Sequence, residues 1–162
     1  MMRATLCAVR IAFAATLAAA LAATLPIAAH AAGTDESPAA ARVDPDFAAG
    51  KQAIEAKDWK AAIKSFSSAA LRDTRNADIE NYLGFAYRNS GDLDSAFKHY
   101  EKALALSPRH RGAHEYVGEA YLLAGNLPKA EEHLAKLKEI CLVPCEEYDD
   151  LRKKVEAYRA TK

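Results

Sequence analysis

One spacing constrains this chain more than any other: 34 residues separate each helical pattern from its next copy. Between Ala77 and His110, Ile79, Leu83, Ala86 and Tyr87 recur at helical intervals. After Gly91-Asp92 a second set follows in Leu93, Ala96, Phe97, Tyr100, Ala103 and Leu104. The segment reads as two amphipathic helices joined by a tight turn. Gly91 suits the left-handed backbone that ends a helix, Asp92 can accept from the free N–H groups of the next, and Ser107-Pro108 stops it. Shifting back by 34 residues places Gly84 on Gly50, Ala96 on Ala62, Tyr100 on Phe66 and Ala103 on Ala69. Shifting forward puts Gly118, Tyr121, Gly125, Ala130 and Leu134 under Gly84, Tyr87, Gly91, Ala96 and Tyr100. Small residues let paired helices approach, and the large ones fill the gaps between neighbouring pairs. Each hairpin needs the next to bury its apolar side, so the pattern predicts three stacked units at residues 43–76, 77–110 and 111–144.

Leu83-Gly84, Tyr87, Ala96, Tyr100, Ala103 and Pro108 resemble the signature of the tetratricopeptide repeat, with Glu80 where that pattern usually has Trp. The resemblance runs from about Val43 to Ala160. It implies an all-α, right-handed solenoid of three hairpins plus a capping helix, serving as a non-catalytic scaffold for a protein or peptide. It also implies that the first helix of each repeat lines a concave groove. The groove positions are then Phe47 and Lys51; Asn81, Tyr82, Phe85, Arg88 and Asn89; and Glu115, Tyr116, Glu119 and Leu122, with Leu123 beside them. Phe47, Phe85 and Leu122 are the large apolar residues there, so they are expected to matter most, unless they pack sideways on the next repeat. On this reading, Phe85→Ala with Arg88→Ala should weaken partner capture and leave thermal melting nearly unchanged. The family's clamp for acidic C-termini would fall on Phe47, Lys51, Tyr82, Gly112 and Tyr116, which supply one cation. Lys51 and Arg88 face Asp44, Glu55, Asp78, Glu115 and Glu119 across the groove, so an acidic peptide is disfavoured.

The departures from the pattern are informative. Lys57 replaces the turn glycine of the first repeat, costing roughly 1 kcal/mol if the site needs positive φ. In the third repeat Leu137 takes the small column of Ala103, and the break moves from Leu142 to Pro144. Beyond it, Tyr148, Leu151, Val155 and Tyr158 form one apolar stripe on a helix at residues 145–160. Charged residues including Glu146, Asp149, Asp150, Arg152, Lys153 and Lys154 occupy its other face. This suits a helix that seals the last repeat.

Residues 1–31 read as a signal peptide: Arg3 and Arg10 precede an apolar run, and Ala29-His30-Ala31 has the form signal peptidase reads. An uncleaved anchor is the alternative, though the run is mostly Ala and contains Thr16, Thr24 and Pro26. Residues 32–42 lack large apolar side chains and read as a flexible linker. Cleavage would deliver the protein to the periplasm with no membrane attachment.

Twenty-two basic residues balance 22 acidic ones, so composition favours neither nucleic acid nor an anionic membrane. Cys141 and Cys145 are the thiols left after cleavage, and in an oxidising compartment a disulfide across the Pro144 corner is the preferred reading. The short loop limits its stabilisation to about 1–2 kcal/mol. A thiol-redox or metal-handling protein acting through this pair is the rival reading, although three residues intervene where thioredoxin-type motifs have two. His110 and His114 are four apart but straddle a repeat boundary and read as ordinary packing or surface histidines. There is no nucleophile with a base and no glycine-rich phosphate loop, so neither enzyme activity nor a cofactor is expected. Self-association through an uncapped face is a further alternative.

Overall fold

A computed structural model describes residues 44–143 and 145–162. The expected signal peptide and linker, and the break at Pro144, lie outside the described residues. Seven helices and no strands occur among the described residues. They form three antiparallel hairpins: α1 (Pro45–Glu55) with α2 (Trp59–Arg72), α3 (Ala77–Ser90) with α4 (Leu93–Leu106), and α5 (Arg111–Leu123) with α6 (Leu127–Ile140). A final helix, α7 (Glu146–Ala160), packs on both α5 and α6. None is long and apolar enough to cross a membrane.

Local chemistry sets the boundaries. Asp44, Asp58, Asn76, Asp92, His110 and Asn126 each accept a backbone N–H in the first turn of the helix that follows. At the hairpin turns Gly91 has φ 92° and Gly125 φ 76°, and Lys57 adopts φ 57° in the equivalent place. Lys57 is the one non-glycine residue with positive φ among the described residues, so the first turn carries the strain its sequence implies.

The core follows the aligned columns. Phe66 and Tyr100 are fully buried, and so are Ala62 and Ala69, and Ala96 and Ala103, one turn either side of them on the same helices. A Cβ on Gly50 would sit 2.7 Å from the Phe66 ring, and one on Gly84 2.5 Å from Tyr100. Gly118 behaves differently: its missing Cβ leaves room for Leu151 of α7, at 2.6 Å, and not for the Leu134 that alignment places opposite it. Leu134 stays half-buried, whereas Leu137, Leu151 and Val155 close the core beneath α7.

Where the repeat signature has Trp, Glu80 is buried and held by His99 Nδ1 at 2.8 Å and Lys102 Nζ at 2.5 Å. One repeat later the same pair of positions holds His114 and His133, with their Nδ1 atoms 2.9 Å apart, while His114 Nε2 lies 3.1 Å from the Pro108 carbonyl oxygen. Burial lowers the pKa of both histidines, His133 to about 4, so both stay neutral at pH 7.

Two substitutions check this account in opposite directions. Lys57→Gly should raise stability by about 1 kcal/mol by relieving the left-handed backbone. Gly84→Ala should lower it by about 1–3 kcal/mol through overpacking against Tyr100. Urea unfolding of each variant gives both values.

Candidate functional site

The helices α3, α5 and α7 lie side by side and form one face of the stack. Along it, aromatic rings bridge successive hairpins. Phe47 meets Phe66 at 5.6 Å and Tyr82 at 5.5 Å between centroids, and Tyr82 stacks on Phe66 at 5.3 Å. Phe85 then contacts Trp59 at 6.1 Å and Tyr116 at 4.9 Å. Phe47 and Phe85 are therefore half-buried in sideways packing, and the exposed apolar surface lies elsewhere.

Arg88 and Glu119 are bound to one another. The Arg88 side chain is 8% exposed; its Nη1 donates to Glu119 Oε2, and its guanidinium lies over the rings of Phe85 and Tyr116 at 5.1 and 5.4 Å. The other Glu119 oxygen accepts from Lys154 Nζ of α7. This ion triplet ties α3, α5 and α7 together, and it corrects one expectation. Arg88 is not a free groove cation, so its loss should lower the melting temperature. Lys154 stays half-exposed on the charged side of α7 while its Nζ reaches Glu119.

Two clefts flank the triplet. At the N-terminal ends of the three helices, a cleft of about 570 Å³ is lined by Asp78, Asn81 and Tyr82 of α3, by His110, Arg111, Gly112, Glu115 and Tyr116 at the start of α5, and by Glu146, Glu147 and Asp150 of α7. At the opposite ends, a cleft of about 690 Å³ has Leu122, Leu123, Ala157 and Tyr158 along an apolar floor, with Arg88, Asn89, Glu119 and Lys154 around it. Leu123 is 66% exposed there. The sequence-assigned positions thus divide: Asn81, Tyr82, Glu115 and Tyr116 meet at the first cleft, and Asn89 and Leu122 at the second. Lys51 is exposed on α1 and lines neither. The period of α7 assigns its stripe to the core, so the sequence does not reveal its walls of both clefts; Tyr158, on that stripe, lines the second cleft.

The clefts differ in electrostatics. Burial pushes the Glu115 carboxyl up to about 7, with Glu119, Asp150 and Glu147 adding repulsion against an opposing effect of Lys154. Asn81 is 4% exposed and its Oδ1 has no hydrogen-bond partner among the described residues. The histidines do not converge on a common point: His110 Nε2 pairs with Asp78 at 2.9 Å and its Nδ1 caps α5, while His114 faces His133. Cys141 ends α6 and Cys145 precedes α7, with Cα atoms 5.9 Å apart and the sulfurs at bonding distance.

A stack of antiparallel helix pairs with a helix-lined concave face is a helical-repeat scaffold by class. Residues 73–142 match the tetratricopeptide repeat model, so the chain carries tetratricopeptide repeats over that span. The fold is similar to the Yersinia enterocolitica type III secretion translocator chaperone SycD, at 18% identity and TM-score 0.64, over 72% of this chain and 82% of that one. PcrH in complex with the chaperone binding region of PopD aligns at 20% identity and TM-score 0.64, over 72% and 90%. The TPR2B domain of yeast Sti1, in its complex with pHsp70, aligns at 15% and 0.67, over 72% and 95%. No curated protein matches the chain.

Glu119→Gln should destabilise the protein by about 3–5 kcal/mol because it leaves Arg88 buried without its counter-charge. Arg88→Ala combined with Glu119→Ala should cost less than either single change, which a double-mutant cycle on thermal or urea unfolding measures.

Proposed function

We propose that the protein is a non-catalytic adaptor that holds a protein or peptide segment along the face formed by α3, α5 and α7. The observation that carries this reading is Leu123, a large apolar side chain left 66% exposed over a concave floor with Leu122, Ala157 and Tyr158. Such a floor gains free energy when an apolar side chain covers it, at about 25 cal/mol per Å² buried. The peptide-bound states of PcrH and Sti1 support the same use of the fold.

The reading includes export to the periplasm through residues 1–31 and a disulfide between Cys141 and Cys145. The bond would link the end of α6 to the start of α7, the helix that walls both clefts, so it serves as a clasp and not as a redox centre.

Leu123→Asp should abolish capture of partners by the immobilised protein from a periplasmic extract of its host, while far-ultraviolet circular dichroism and melting stay close to wild type. Undiminished capture would move the site away from this face. In the same preparation, thiol titration under denaturing, non-reducing conditions should find Cys141 and Cys145 unreactive.

A further inference from the structure

The first cleft has a chemistry that generic peptide binding does not use. Three of its carboxylates have partners of their own: Asp78 pairs with His110 at 2.9 Å, Glu147 with Arg111 at 3.5 Å and Asp150 with Lys153 at 3.0 Å. The first-turn acids Asp78, Glu146 and Glu147 also complement the positive ends of their helices. Glu115 has neither kind of compensation. It lies one turn inside α5, half-buried, and makes no ion pair among the described residues. Beside it lies Asn81, more than nine-tenths buried, with an amide that makes no hydrogen bond among the described residues and an orphaned Oδ1. An enclosed polar group of this kind costs about 1–3 kcal/mol until it is satisfied. Tyr82 and Tyr116 line the same cleft.

The geometry points to a seat for one basic side chain, lysine or arginine, of the bound peptide, held by the Glu115 carboxylate and the Asn81 amide between Tyr82 and Tyr116. This rests on the reading of the α3, α5 and α7 face as a peptide groove and adds the class of residue that the groove selects. A carboxylate and an amide oxygen accept from an ammonium or guanidinium, and a tyrosine face attracts the same cation. An acidic residue there would meet Glu115 and Glu146 without a free cation to offset them, since Arg111 and His110 are already paired. Burial holds the Glu115 carboxyl up to about 7, and an arriving cation would stabilise its ionised form.

The test is selection of a displayed random dodecapeptide library on the immobilised full chain at pH 8, in parallel with Glu115→Gln and Leu123→Asp. The expected result is a set of binders sharing one Lys or Arg at a fixed distance from an apolar residue. The basic preference should disappear on Glu115→Gln, and the selected peptides should bind that variant at least about tenfold more weakly. Replacing the shared Lys or Arg by norleucine should cost wild type a similar factor and Glu115→Gln little. Wild-type affinity should fall between pH 8 and pH 6 as Glu115 takes up a proton, and the Glu115→Gln profile should be flatter. His110, Asp78, Glu146, Glu147, Asp150, Glu119 and Lys154 remain in both proteins, so the difference between the profiles isolates Glu115. Binders that require Leu123 but show no basic preference would overturn this inference and leave the adaptor reading standing. Absence of any binder that depends on Leu123 would overturn both. Glu115→Gln removes a repulsive half-buried charge, and a melting curve at or above that of wild type separates a binding defect from misfolding.

Discussion

Close approach of paired helices is the constraint on which the rest of this structure depends. Phe66 and Tyr100 can be fully buried only because Gly50 and Gly84 present no Cβ to their rings. In the third hairpin the same vacancy, at Gly118, is filled from outside by Leu151. That substitution of one filler for another turns a repeating device into a terminating one. It draws α7 against α5, and once Leu151 and Val155 are buried there the polar edge of α7 must face α3 across the concave side. The cap and the face that carries both clefts are consequences of a single packing event.

Charge then fixes what packing brings together. Glu119 uses both oxygens to hold Arg88 of α3 and Lys154 of α7. A buried pair of this kind gives little net stability against an apolar equivalent, yet removing one partner is costly, so the triplet acts mainly on the relative placement of three helices. Placed between the two clefts, it separates an acidic, tyrosine-flanked end from an apolar one. The Trp-less columns follow similar logic on the other side of the hairpins. Glu80 with His99 and Lys102, and His114 with His133, replace a large apolar contact by hydrogen-bonded pairs.

Much of the architecture can be read directly from residues. The helical spacing, the Asp and Asn caps, Gly91, Gly125 and the strained Lys57 are local signals, each recording a backbone conformation that its own residue type permits or resists. The face that carries the site was only partly legible. Asn81, Tyr82, Glu115 and Tyr116, which spacing puts on one side of their helices, line one cleft, because residues three and four apart share a helix face. It could not tell that Phe47 and Phe85 turn sideways into neighbouring rings, or that Arg88 is spent on Glu119.

The order of hairpins, their turns, and the alternation of small and large columns were determined by the sequence alone, since each depends on neighbours within one hairpin. Tertiary structure alone decided which side chain fills the space at Gly118, which charges neutralise each other, and which apolar residues are left uncovered. Those outcomes depend on contacts between groups 31 to 35 residues apart, such as Arg88 with Glu119 and Glu119 with Lys154. Several partners of suitable chemistry compete for each position at that range, and helix packing selects among them.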